Sequence, residues 1–239
     1  MNPPAEESEH IDHSHTDVSG GWVRAAVFGA MDGLVSNISL IAGVGGGGVS
    51  RETIVLTGAA GLVAGAISMG IGEYTSVRTQ NEQVDAEIEK ERLELERHPH
   101  AEQRELAAML RHRGLSGDLA DRIAVEVSRD AELALRIHAQ EELGVTPDER
   151  PSPWTAAITS FVCFAVGAFV PLLPYLLGSD ALWLALAVGG VGLFGAGSLV
   201  SRLTTRSWWG NGLRQLVLGG LAAGATYLIG RLIGVTIGG

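Results

Sequence analysis

Apolar residues fall in five long runs, at 22–48, 54–77, 154–177, 181–200 and 213–235, and most polar residues lie between or outside them. About twenty consecutive apolar residues let a helix cross the hydrocarbon core of a bilayer, so each run predicts a membrane span. The stretch between the second and third runs is patterned differently. Residues 82–97 are strong helix formers; His98, Pro99 and His100 break the helix; 101–113 resume it; 114–116 turn; and 117–144 make one bent helix or two shorter ones. Leu119, Ile123 and Val127 recur at helical spacing, with Leu106 and Leu110 available opposite them, which predicts a small bundle closed over one buried face. No proline occurs between Arg51 and Pro99, so the second span can run out of the membrane into the charged segment as one rod, whereas Pro171 and Pro174 predict a kink in the third span. The fold class is an all-α membrane protein of five transmembrane helices, with a helical insert between the second and third. Its divisions are a polar tail at 1–21, spans one and two at 22–77, the insert at 78–150 and spans three to five at 151–239.

Charge sharpens this division. Of the 27 acids in 239 residues, 18 lie between Glu82 and Glu149 and five precede Gly20, which leaves Asp32, Glu52, Glu73 and Asp180 for the rest. The net charge of −10 thus belongs to two segments, a pattern of lipid-embedded helices beside an acidic, water-facing module. Such a module attracts cations and excludes nucleic acid as a partner. The lone Cys163 sits in an apolar run and cannot form an internal disulfide. The tail carries His10, Asp12, His13 and His15 among Pro, Glu and Ser; it reads as a solvated, disordered segment, with metal scavenging as the other reading. It lacks the basic start and short apolar run of a cleavable signal, so the first span is expected to direct insertion. A single Lys among 17 basic residues fits a GC-rich bacterial genome and hence the inner (cell) membrane of a bacterium.

Basic residues near the ends of the spans set the orientation. With a cytoplasmic N-terminus the inside collects Arg24, Arg78, the insert, Arg150, Arg202, Arg206 and Arg214, leaving Arg51 and Arg231 outside. Trp22, Trp154, Trp208 and Trp209 then fall at inner boundaries, as an aromatic belt requires. Asp32 lies eight to ten residues inside the boundary at Trp22 and Arg24, and Met69 nine inside the boundary at Arg78; at about 1.5 Å per residue both are roughly 12–15 Å deep. Glu73 follows Met69 by four residues and occupies the same helix face one turn nearer the cytoplasm.

A bare carboxylate near mid-membrane costs about 2.5–3.5 kcal/mol on insertion scales, so Asp32 is either a protonated or hydrogen-bonded acid or an ion or proton site. Gly29 and Gly33, four apart, let another helix approach beside it. Met69 is either flexible packing or a ligand, and Glu73 either an interfacial acid beside Arg78 or a further step on a path. A carboxylate and a thioether at one depth suit a borderline transition metal better than Mg2+ or Ca2+, because hard cations gain nothing from sulfur. Proton and metal would then compete for Asp32 near neutral pH. In the insert, Glu87, Glu91 and Glu94 share one helix face, as do Glu102 and Glu105, and His138, Glu141 and Glu142. Spacing alone reads these as solvated faces, with Arg92 and Arg104 as available counter-ions.

The stretch from Phe28 through Gly, Ala, Met, Asp32, Gly, Leu and Val to Ser36 and Asn37, and the stretch from Ser68 and Met69 through Gly, Ile and Gly to Glu73 and Tyr74, resemble the signatures of the vacuolar iron transporter family. The likeness extends over the whole chain, with five spans and an acidic insert between the second and third. It implies a homodimer whose first spans line a central path, exchanging Fe2+ for protons and moving it out of the cytosol. Asp32 and Met69 would occupy its membrane transport site. The insert would be a cytoplasmic metal-binding domain, with ligands carried over by position to Glu91, Glu94, Glu102, Glu105 and Glu142, and with His138 where the plant vacuolar member has a methionine. Imidazole suits Fe2+, Mn2+, Zn2+ and Co2+ alike, so this departure bears on the metal preference. The metal is cargo and regulator; no other cofactor is expected, and the protein is not expected to be an enzyme.

Two other classes are weighed against this one. A ferritin-type oxidase needs Glu-x-x-His pairs on facing helices; within the insert the nearest pattern, His138-x-x-Glu141, runs in reverse, and the lone Glu7-x-x-His10 lies in the polar tail. A membrane-bound metal sensor without transport would keep the insert ligands but have no use for Asp32 and Met69 at one depth.

Overall fold

The computed structural model describes residues 21–146, 150–203 and 207–237; the histidines of the tail, Glu149 and Arg206 lie outside them. The described chain is helical throughout, with no strand among the described residues. Among the described residues five helices are long and apolar enough to cross a membrane: α1 (Gly21–Gly46), α2 (Arg51–Arg97), α6 (Pro153–Leu176), α7 (Leu182–Val200) and α8 (Trp208–Ile237). Between α2 and α6 lie α3 (Pro99–His112), α4 (Gly117–Val127), α5 (Ala131–His138) and a π-helical turn at Ala139–Leu143.

Local chemistry accounts for these boundaries. Ser50 caps α2 by accepting from the Thr53 N–H, and Ser152 caps α6 in the same way through Thr155, with Pro153 in the first turn where its missing N–H costs nothing. Asp130 accepts from the N–H groups of Glu132 and Leu133 at 3.0 and 3.1 Å and so starts α5. Gly114, at φ +100°, makes the turn from α3 to α4. α2 is unbroken over 47 residues, as the absence of proline predicts, and is about 70 Å long. α6 passes through Pro171 and Pro174 without interruption. α8 begins at Trp208, so Trp208 and Trp209 belong to the last span and not to the connection before it.

α1 lies at the centre of the bundle, packed against α2, α6, α7 and α8, while α6 packs against α1, α2 and α7. The pair Gly29 and Gly33 serves α6: a methyl group at Gly29 would come within 2.7 Å of the Ser160 carbonyl oxygen, and one at Gly33 would overlap the carbonyl of Phe164. Leu34, Ile38 and Ala42 of α1 bury themselves against Leu193 of α7 and Ala223 of α8; Ile41, Ile54, Leu172, Tyr175 and Ala185 form a second core. Gly220 and Gly224, which also have packing spacing, face open space, and the close approach of α8 to α1 is made by Gly230 against the backbone of Gly43. Leu56, Val191 and Leu221 point outward with two thirds or more of their surface exposed, the apolar surface a lipid environment would cover.

The charged segment has its own core of Leu106, Ala107, Ala124, Val127 and Ala134, with Leu95, Leu110 and Ile123 against it. Leu119 is exposed and its neighbour Ala120 is buried, because the inward face of α4 runs through 120, 124 and 127. The chain's return to the bundle is tied to α2: Arg150 donates to Asp85 at 2.8 Å, and Asn81 Nδ2 to the carbonyl of Pro151 at 3.0 Å.

Candidate functional site

Two groups of polar side chains stand out, one within the bundle and one among α2, α3 and α5. The first is a cleft of about 360 Å³ between α1 and α2, closed at its back by Phe164 of α6. Asp32 and Met69, placed at one depth by residue counting, both line it, together with Ser36, Asn37, Leu40, Gly61, Gly65 and Ser68. The donors are mixed: a carboxylate, a thioether, an amide and two hydroxyls. Ser36 donates to the Asp32 carbonyl at 2.6 Å, which leaves its oxygen lone pairs available. Gly61 and Gly65 of α2 supply the space, since side chains there would run into Leu40 and the Phe164 ring.

Glu73 is not among the lining residues. It is buried and ion-paired with Arg24, which joins the start of α1 to α2. Arg78, the partner proximity in sequence favours, instead engages Glu82 at 2.9 Å and the Tyr74 hydroxyl. Arg24 had shown only as a topological charge; its pairing depends on the antiparallel register of α1 and α2, which no local pattern encodes.

The second group brings together residues from four elements. Glu91 of α2, Glu102 of α3, His138 at the end of α5 and Glu142 in the π-helical turn offer ligand atoms all within 4.8 Å of one another. His138 is 1% exposed, and its Nδ1 lies 3.1 Å from Glu91, 3.3 Å from Glu142 and 3.8 Å from Glu102. The wider π turn puts Glu142, four residues on, against the ring of His138, and such turns recur where a helix carries a site. Among the described residues no Lys or Arg is ion-paired with Glu91, Glu102 or Glu142. Arg92, one of the expected counter-ions, goes to Glu89 and Glu132. Glu94 and Glu105 stay outside the tight group: Glu94 is bonded to His98 at 2.8 Å, and Glu105 is exposed.

Burial pushes the carboxyls of Glu91 and Glu102 above their ordinary value of 4.5, with repulsion from Glu142 adding at Glu91 and from Glu105 at Glu102, and with His138 acting the other way on both. Both hold protons more tightly folded than unfolded. Their contribution to stability is therefore fully present below pH 4.5 and is lost as the pH rises through the raised values. A divalent ion fits this arrangement. Three carboxylates and an imidazole are a donor set for borderline metals, and ligands about 2.1 Å from a centre lie up to about 4.2 Å apart, close to the observed spread. Glu91 Oε1 is buried, and although His138 Nδ1 lies 3.1 Å away the two are not aligned for a hydrogen bond, which leaves an acceptor that a cation would satisfy.

Comparison with known proteins points to one family. A family model described as the VIT family matches residues 23–231. A "Vacuolar iron transporter" of Acanthamoeba castellanii is 34% identical over 216 residues, covering 86% of this chain and 79% of its own. A "Vacuolar iron transporter homolog 1" of Oryza sativa subsp. japonica is 35% identical over 219 residues, covering 90% and 75%, and the "Vacuolar iron transporter 1" of Arabidopsis thaliana is 27% identical over 237 residues, covering 95% and 93%. With most of its length matched and both signature stretches inside that match, the chain belongs to the VIT family.

Proposed function

We propose that this protein carries divalent transition metal, Fe2+ foremost and Mn2+ as a second cargo, out of the cytosol in exchange for protons. The observation that carries the reading is the meeting of Asp32 and Met69 in one cleft within the membrane-spanning bundle. A carboxylate supplies charge and a proton-exchanging group, and the thioether favours transition metals over Mg2+ and Ca2+. Family membership and the names of the relatives support transport of a metal ion in place of catalysis. The working unit in this reading is a homodimer in the inner membrane of a bacterium, with the first helices of two copies facing a shared path. Glu91, Glu102, His138 and Glu142 collect metal on the cytoplasmic side, with Glu94 and Glu105 as outlying ligands, and Glu73, paired with Arg24, stands between the two groups along α2. Proteoliposomes holding a pH-sensitive dye test the transport reading. Fe2+ addition is expected to drive metal flux with opposing proton movement; metal binding without any flux would leave a membrane-bound sensor.

Two further outcomes are expected. With Cys163 replaced by Ala, cysteines introduced at Ser116 and Ser179 should be labelled by an impermeant maleimide from opposite sides of the membrane, and labelling from one side would exclude the proposed topology. Thermal melts of the full chain without metal should show stability falling as pH rises above 4.5, as Glu91 and Glu102 ionise. Mn2+ at about a hundred times its dissociation constant should restore about 2.7 kcal/mol at pH 7 and far less at pH 5, where protons compete. The double variant Glu91→Ala, Glu102→Ala should lose both the pH dependence and the metal response; an undiminished metal response would return these acids to solvated helix faces.

A further inference from the structure

The cleft holds a buried polar atom that the proposed exchange does not use. Asn37 is 2% exposed, in an apolar stretch of α1, and its Nδ2 donates to the backbone carbonyl of Ala168 in α6. A carbonyl can only accept, so this bond fixes which end of the amide faces α6 and turns Oδ1 the other way, toward α2. There a methyl group on Gly61 would sit 3.5 Å from Oδ1, and Gly61 and Asn37 both line the cleft that holds Asp32 and Met69. Oδ1 has no hydrogen-bond partner among the described residues. An amide oxygen left bare in an apolar interior is unfavourable, and a serine or threonine would have made the α1–α6 contact without it. What the amide adds is an oriented oxygen, aimed into a cleft that a glycine keeps open.

We propose that Asn37 is a ligand of the transported ion, coordinating it through Oδ1 as a neutral oxygen beside Asp32 and Met69. The inference rests on the reading of this cleft as the transport site and adds a division of labour within it. Asp32 can exchange a proton for a metal ion; an amide oxygen cannot hold a proton at physiological pH, so Asn37 contributes affinity without entering the proton count. A neutral ligand also adds no second negative charge that the cycle would have to neutralise after the metal leaves. The Nδ2 bond holds the oxygen in place before the ion arrives, which lowers the ordering cost of binding.

The test measures Fe2+ uptake and internal pH together in proteoliposomes of the wild type, Asn37→Leu, Asn37→Ser, Asn37→Asp and Asp32→Asn, with melting temperatures taken in detergent. Asn37→Leu lacks the oxygen; Asn37→Ser lacks the carbonyl but is small and polar enough to fold if the leucine is not. Both should raise the half-saturating Fe2+ concentration about tenfold, the size of one lost neutral ligand, while protons moved per metal stay at the wild-type ratio. Asn37→Asp restores an oxygen without the donor to Ala168 and should recover most of the affinity, with a changed pH dependence because the new ligand titrates. Wild-type half-saturation in a folded Leu or Ser variant would remove Asn37 from the ion's ligands. So would equal impairment of all three variants with matching losses of melting temperature, which would make Asn37 only a tie between α1 and α6. A wild-type protein that moves no Fe2+ would bring down the transport reading and this assignment with it. Transport lost in Asp32→Asn but normal in the Asn37 variants would overturn the assignment alone.

Discussion

Asp32→Asn is expected to abolish Fe2+-driven proton movement, lowering it at least about a hundredfold, in a protein that still folds and elutes as the wild type does. The substitution preserves shape and hydrogen bonding and removes only ionisation. It leaves the cleft without a carboxylate, because its other polar lining groups are the serine hydroxyls and Asn37 and the only sulfur is Met69. An incoming dication would keep its full charge in a low-dielectric setting, and no group would be present to release a proton in its place. Met69→Ala provides the contrast. It removes a polarisable neutral ligand, so discrimination against Mg2+ and Ca2+ should fall while proton coupling persists. Proton flux of wild-type size in Asp32→Asn would move the coupling elsewhere, and Glu73, already ion-paired with Arg24, would be examined next.

The second large effect is on assembly. Gly33→Leu should prevent α1 from docking on α6, because even the first carbon of a side chain there overlaps the Phe164 carbonyl, and a backbone cannot swing aside as a side chain can. The cost is expected to be about 3 kcal/mol or more, at or above the upper end for overpacked cores. It should appear as aggregated or degraded protein in detergent. Gly220→Ala is the control. A methyl group there meets open space, and alanine favours the helix over glycine by about 0.5–1 kcal/mol, so yield and melting temperature should hold or rise. A well-folded Gly33→Leu would mean that the α1–α6 contact is looser than its carbonyl-to-glycine geometry implies.

Features set by local pattern could be read from the sequence, and those set by long-range register could not. The unbroken second helix followed from the absence of proline before Pro99, and the shared depth of Asp32 and Met69 followed from counting residues to charged boundaries. Periodicity found the buried face of α4 but misplaced its edge by one residue, choosing Leu119 over Ala120, because hydrophobicity weighs the larger side chain while burial depends on angle. Spacing on single helices grouped Glu94 with Glu91 and Glu105 with Glu102, whereas the tight cluster takes one acid from each of these helices and closes on His138 and Glu142. The partner of Glu73 and the helix served by Gly29 and Gly33 depend on which helices adjoin, and that information is not local.

The continuity of α2 has a mechanical consequence. Met69 and Glu91 sit on one helix, 22 residues apart, with no break between them. At about 1.5 Å per residue they are about 33 Å apart, so a 1 Å sideways pull at Glu91, pivoting near Met69, tilts the whole rod by about 2°. A flexible joint at the membrane surface would absorb such a pull. A stiff lever transmits it instead, and the distance between Glu91 and Glu142 and the tilt of α2 against α1 become readings of a single angle.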